Sequence, residues 1–192
     1  MTKVKIIPNG PVIIFGGLHG VGKSTYAKMI SEKFKLDYVS TGTMFRKLAS
    51  EKGLSLTELS QLASKDPSID KVIDEMSKEK ILEGNAVFDS LLAPFLAKDV
   101  ESFKIYLFAP IEVRISRISN RDLKPNEQSW NETILREKLE IKRFKKYYGF
   151  DLNDTSFYNL LLDTSLFDVE GNIKILEAAV GVYLERRWKN WL

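Results

Sequence analysis

The chain has 192 residues, 44% of them hydrophobic and 29% charged, with a formal net charge of +3 and no cysteine. That length suits one domain with a proper core, and the lack of cysteine excludes disulfides and thiolate metal sites. No apolar run reaches the length of a membrane span, Met1 to Pro11 carry no signal-peptide apolar region, and the mild charge needs no nucleic acid to explain it, so the expectation is a cytoplasmic enzyme handling small anionic molecules.

Val12-Ile13-Ile14-Phe15 is a short apolar run suited to a buried parallel strand. Directly after it comes Gly16-Gly17-Leu18-His19-Gly20-Val21-Gly22-Lys23-Ser24-Thr25. Gly17 to Ser24 satisfies the Gly-x-x-x-x-Gly-Lys-Ser phosphate-loop pattern. Its glycines let backbone N–H groups turn inward around a phosphate chain. Lys23 is placed to meet the outer phosphates, and the Ser24 hydroxyl to ligate Mg²⁺. Tyr26, Ala27, Met29, Ile30 and Phe34 then recur at helical spacing, predicting a helix over 22–35 whose positive end faces the same anion. His19, the only histidine, is expected as a loop residue with its ring toward solvent.

Further strands are predicted at Asp37-Tyr38-Val39-Ser40, Ala86-Val87-Phe88-Asp89, Lys104-Ile105-Tyr106-Leu107-Phe108 and Leu160-Leu161-Leu162-Asp163. Helices are predicted over 43–52, 56–64, 68–83, 111–121, 131–147 and 171–187, the last with Ile173, Leu176, Val180 and Leu184 on one side. Alternation of this kind implies a parallel sheet between helices, with ligands at the carboxyl ends of its strands. Stretches 43–83 and 122–150 hold no strand and read as helical insertions. Asp89, closing the third strand, is a candidate to hold Mg²⁺ through water. Arg136, Glu140 and Arg143 are spaced to share one helix face. They are either a solvated charged face or the guanidinium-bearing face of a mobile lid. The ending Arg186-Arg187-Trp188-Lys189-Asn190-Trp191 mixes bases and aromatics, but cations at the negative end of a helix account for it without nucleic acid.

In order and separation these runs resemble the archaeal-type cytidylate kinases, within the nucleoside monophosphate kinases. The similarity covers Val12 to Ser165. It takes in the phosphate loop, Val39-Ser40-Thr41-Gly42-Thr43-Met44-Phe45-Arg46, Asp66-Pro67-Ser68-Ile69-Asp70, and Ala109-Pro110-Ile111-Glu112-Val113-Arg114-Ile115-Ser116-Arg117-Ile118. It continues with Arg136-Glu137-Lys138-Leu139-Glu140-Ile141-Lys142-Arg143-Phe144, Tyr148-Gly149-Phe150-Asp151-Leu152-Asn153-Asp154 and Asp163-Thr164-Ser165.

The resemblance implies a three-layer α/β/α phosphate-loop kinase with a five-stranded parallel sheet. Its core would be 11–42, 84–121 and 150–192, its acceptor-binding insertion 43–83 and its lid 122–149. ATP and Mg²⁺ are the implied cofactors and CMP or dCMP the acceptor, in a monomer with neither membrane nor nucleic-acid partner. Lys23, Arg136 and Arg143 would be catalytic. Gly17, Leu18, His19, Gly20, Val21, Gly22, Lys23, Ser24, Thr25 and Arg117 would bind ATP, with Arg117 against the adenine. Thr41, Arg46, Asp89 and Glu140 would serve the acceptor, and Ser24 with Asp89 the metal. Leu91 departs from the family pattern, which has an Arg there. A different acceptor, AMP or UMP, therefore stays open, as does a weakly catalytic nucleotide-sensing or RNA-associated role. A switch GTPase does not, because the Asn-Lys-x-Asp guanine motif is missing.

Overall fold

The computed structural model describes residues 5–189, so Asn190 and Trp191 of the basic–aromatic ending lie outside the described residues. Five parallel strands, β1 (Val12–Gly16), β2 (Asp37–Ser40), β3 (Ala86–Asp89), β4 (Phe103–Phe108) and β5 (Leu160–Asp163), form one sheet in the order β2-β3-β1-β4-β5. Pairing Ile14 with Phe88 on one side and with Lys104 on the other makes β1 the central strand, buried along its whole length. The alternation of a strand then divides its side chains between two cores. Ile13 and Phe15 pack with α1 (Lys23–Phe34) and α8 (Val169–Arg187), through Ala27, Ile30, Leu176 and Val180. Val12 and Ile14 face the opposite layer, where Ile81, Ala93 and Ala97 meet them. The result is helix, sheet, helix.

Three helices connect β2 to β3: α2 (Thr41–Glu51), α3 (Leu56–Ala63) and α4 (Ser68–Glu83). They enclose a small core of their own from Phe45, Ala49, Leu59, Ala63 and Ile69. A short α5 (Ala93–Leu96) follows β3, and α6 (Ile111–Asp122) follows β4. The long α7 (Asn126–Tyr148) starts five residues before the predicted 131, because its polar first turn, Asn126 to Trp130, shows no apolar period. Neither α5 nor the 3₁₀ turn at Thr155–Phe157 was expected, both being too short for periodicity to register. Phe144 on α7 packs with Leu92, Phe150 and Leu152, anchoring this helix to the sheet domain.

One buried cation lies on the sheet itself. Lys104 on β4 is 4% exposed, and burial pulls its ammonium down to about 8, helped by Lys5 and opposed by Glu101 and Asp99. A lysine whose folded value lies below its unfolded one destabilises fully while both states are charged, and that cost fades as pH rises from about 8 toward 10.5. Lys104→Met is therefore expected to raise the unfolding free energy at pH 7 by about 2 kcal/mol. Urea titrations at pH 7 and pH 10 check this, with the gain shrinking at the higher pH.

Candidate active site

The loop between β1 and α1 curls tightly because three of its glycines adopt positive φ. At Gly17 (φ +122°) an added Cβ would stand 2.0 Å from the Leu107 carbonyl oxygen, and at Gly20 (φ +82°) 2.5 Å from that of Arg114. Any side chain would push the loop off β4 and α6. Thr164, fully buried after β5, donates its hydroxyl to the Val21 carbonyl at 3.0 Å and so pins the loop from behind. Lys23 folds back over the loop, with Nζ donating to the carbonyls of Gly17 (2.6 Å) and Leu18 (2.9 Å). Burial lowers its pKa, while Asp89 and Glu140 oppose that shift.

Asp89 lies at the carboxyl end of β3, beside the start of α1. Its Oδ2 accepts from the Ser24 hydroxyl at 2.5 Å, the Tyr38 hydroxyl at 3.1 Å and the Ser40 hydroxyl at 3.2 Å. Ser24 and Asp89 thus form an all-oxygen donor set, which fits Mg²⁺ that keeps waters and phosphate oxygens as its other ligands. Among the described residues no cluster of three His, Cys, Asp or Glu side chains is arranged to hold a metal by itself. The phosphates of a bound nucleotide would have to complete the shell.

A cavity of about 450 Å³ opens in front of this loop and extends between α2, α4 and α7. Arg136, Glu140 and Arg143 all line it, as their spacing on α7 implies. Glu140 is the hub. Its Oε1 accepts from Arg136 Nε at 3.1 Å, and its Oε2 stands 2.7 Å from His19 Nε2. Burial pushes the Glu140 carboxyl up, but His19 and Arg136 outweigh that and hold it below the usual carboxylate range. The expected solvent-facing His19 is thus corrected: its ring turns inward onto a residue 121 positions away in the chain. Burial lowers the His19 pKa against the pull of Glu140.

Two residues that the sequence analysis passed over close this arrangement. Glu137 accepts from the His19 backbone N–H at 3.0 Å and pairs with Arg114 at 2.6 Å, while Arg114 also donates to the His19 carbonyl at 2.9 Å. No local signal marks them, since α6, the loop and α7 meet only in the folded chain. Arg117 donates to Thr164 through both terminal nitrogens, at 2.9 Å and 2.8 Å, which fixes its guanidinium at the edge of the cavity.

Also on the cavity wall, Arg46 is exposed and donates to Thr43 at 3.1 Å, and Thr41 reaches the Asp89 carbonyl at 3.5 Å. Arg143 lies farther along α7, its guanidinium 5.5 Å from the Phe45 ring and 5.1 Å from the Phe144 ring. Its Nε is 2.9 Å from Asp70 Oδ2, both side chains being buried. Burial pushes the Asp70 carboxyl up to about 6, against the opposing pull of Arg143. Leu91 packs toward Phe144 and Phe150 and also borders the cavity. Arg121, another residue not singled out from sequence, lines the same cavity.

A glycine cradle joining the central strand to the first helix, with helical insertions over the carboxyl edge of a parallel sheet, defines a phosphate-loop kinase fold. Solved structures agree on the fold. Shikimate kinase from Bacteroides thetaiotaomicron superposes with a TM-score of 0.56 at 16% identity, over 89% of this chain and 98% of that one. An uncharacterized protein from Eubacterium ventriosum reaches 0.65 at 14% identity, over the same shares. Sequence comparison is more specific. The cytidylate kinase-like family model matches residues 12–166. The cytidylate kinase of Aeropyrum pernix is 44% identical over 86% of this chain and 97% of its own, and that of Staphylothermus marinus 40% over 91% and 98%. The chain belongs to the cytidylate kinase-like family.

Removing one member of a buried ion pair strands the other. Glu137→Gln is expected to lower the unfolding free energy by about 3 kcal/mol, with Arg114 left uncompensated. Urea denaturation beside an exposed control, Glu75→Gln, measures it.

Proposed function

We propose that the protein transfers the γ-phosphoryl group of ATP to CMP or dCMP, yielding ADP and CDP or dCDP. One observation carries this reading: cations from the phosphate loop, from α2 and from α7 border a single cavity in a chain about 40% identical to proteins named cytidylate kinase. An oxygen of the acceptor phosphate forms the new bond to the γ phosphorus as the bond to the bridging oxygen breaks. That nucleophile is already anionic, so positioning and charge neutralisation suffice and no general base is required.

Loop residues Gly17 to Thr25 cradle the ATP phosphates, and Lys23 exchanges its two loop carbonyls for phosphate oxygens. Ser24, and Asp89 through water, hold Mg²⁺, which when bound neutralises charge on the outer phosphates. Arg117 lies against the adenine. Arg46 grips the acceptor phosphate, Thr41 and Glu140 add hydrogen bonds to the acceptor, and Arg136 meets the transferring phosphoryl. Arg143 lends its charge from the acceptor end, where its pair with Asp70 holds it. The guanidinium that Leu91 does not provide comes from Arg121 at the cavity edge.

In this reading 43–83 is the acceptor-binding insertion and 122–149 the lid, closing on a core of 11–42, 84–121 and 150–192 to keep water from the phosphoryl. The enzyme works as a cytoplasmic monomer on free nucleotides. No helix among the described residues is long and apolar enough to cross a membrane.

A coupled ADP-release assay with CMP, dCMP, UMP, AMP and GMP is the test. CMP and dCMP should give the highest kcat/KM, and a failure to convert any monophosphate overturns the reading. Lys23→Ala should cut kcat by about 100-fold or more, as expected when a charge-stabilising donor is lost. Arg46→Ala should raise the acceptor KM by about 10- to 100-fold, the loss of one charge-assisted contact, and leave the KM for ATP unchanged.

A further inference from the structure

The phosphate-loop pattern fixes Gly17, Gly22, Lys23 and Ser24 and places no demand on position 19, yet the only histidine of the chain stands there. Its backbone needs no help from the ring. The His19 N–H donates to Glu137 Oε1 at 3.0 Å and its carbonyl accepts from Arg114 at 2.9 Å, so the main chain alone ties the loop to α6 and α7. The imidazole adds one further tie, to Glu140 Oε2 at 2.7 Å. Burial lowers the His19 pKa, so at pH 8 the ring is neutral, and Nε2 carries the proton it donates to the carboxylate.

Glu140 passes that tie on. Its other oxygen accepts from Arg136 Nε at 3.1 Å, and the residue is 3% exposed. Because the pair uses Nε, neither terminal nitrogen of Arg136 has a protein hydrogen bond among the described residues, and the side chain lines the same cavity as Lys23. A guanidinium held this way presents its two terminal nitrogens as a fork, the geometry that meets two phosphate oxygens at once. Without the imidazole, Oε2 of a buried carboxylate would lose its partner, and two long side chains would be free to turn together.

Resting on the kinase reading above, we propose that His19 is a positioning residue for phosphoryl transfer. By holding Glu140 it fixes the carboxylate that fixes Arg136, so the loop that cradles the ATP phosphates also aims the guanidinium that meets the transferring one. His19 itself gives no proton to the reaction and touches no reacting atom.

The test is the coupled ADP-release assay at pH 8 with saturating ATP and CMP. His19→Ala should lower kcat by about 30-fold and change the KM for either nucleotide by less than about threefold. His19→Gln, whose amide N–H can reach Glu140, should restore kcat to within about threefold of wild type. A glutamine variant as slow as the alanine one would place the imidazole in the chemistry and overturn the proposal. Combined with Arg136→Ala, His19→Ala should slow that variant by no more than about threefold, whereas fully multiplicative losses also overturn it. Should His19→Ala fail to fold, the wild type decides by NMR, since a single histidine makes its ring N–H resonance unambiguous. That proton should stay protected from solvent in the complex with CMP and a non-hydrolysable ATP analogue. Its exposure on binding would confine the contact to the ligand-free protein and overturn the proposal. A wild type that converts no monophosphate ends the kinase reading; one that converts CMP while His19→Ala keeps the wild-type kcat ends only the present inference.

Discussion

The structure depends on the contact between the phosphate loop and α7, in which charge is buried only where it is paired. Glu137 holds the His19 amide and Arg114 together, and Glu140 holds the His19 ring and Arg136. Each carboxylate takes two donors, one from the loop and one guanidinium. Burying ions this deeply is tolerable because every partner is within hydrogen-bond reach, and removing one would strand the rest. The same contacts hold the Arg136 guanidinium at the cavity beside the glycine cradle.

Everything else positions that contact. The central strand, buried on both faces, carries the loop at its carboxyl end, and Asp89 on the neighbouring strand falls beside Ser24 because β1 and β3 run in register. The three helices between β2 and β3 supply the opposite wall, stabilised by their own apolar cluster. α7 spans the two. Its middle, at Glu137 and Glu140, meets the loop, and its last turns meet α3 and α4 through Arg143 on Asp70 and the Tyr147 hydroxyl on the Ser64 carbonyl. One helix therefore senses both ends of the cavity, a suitable arrangement for bringing a donor and an acceptor nucleotide together without water.

Much of this was legible beforehand, for identifiable reasons. Apolar runs such as Val12 to Phe15 and Ala86 to Phe88 read as buried strands, and the glycine spacing from Gly17 to Gly22 marked a tight turn directly after the first of them. Arg136, Glu140 and Arg143 shared a helix face by arithmetic of the helical repeat. The beginning of α7 was not legible, because Asn126 to Trp130 offers helix formation without apolar rhythm. The inward turn of His19 was not legible either, since nothing near it in the chain is its partner.

The sequence by itself determined the alternating fold, the phosphate cradle and the family, because each is written in local spacing: strand runs, helical periods and a glycine pattern with its Lys and Ser. Only the tertiary structure decided which charges meet. Glu137 with Arg114, Glu140 with His19 and Asp70 with Arg143 join segments far apart in the chain. An ion pair has no periodicity, and its existence depends on distance and burial, which appear only once the sheet has brought its loops to one edge.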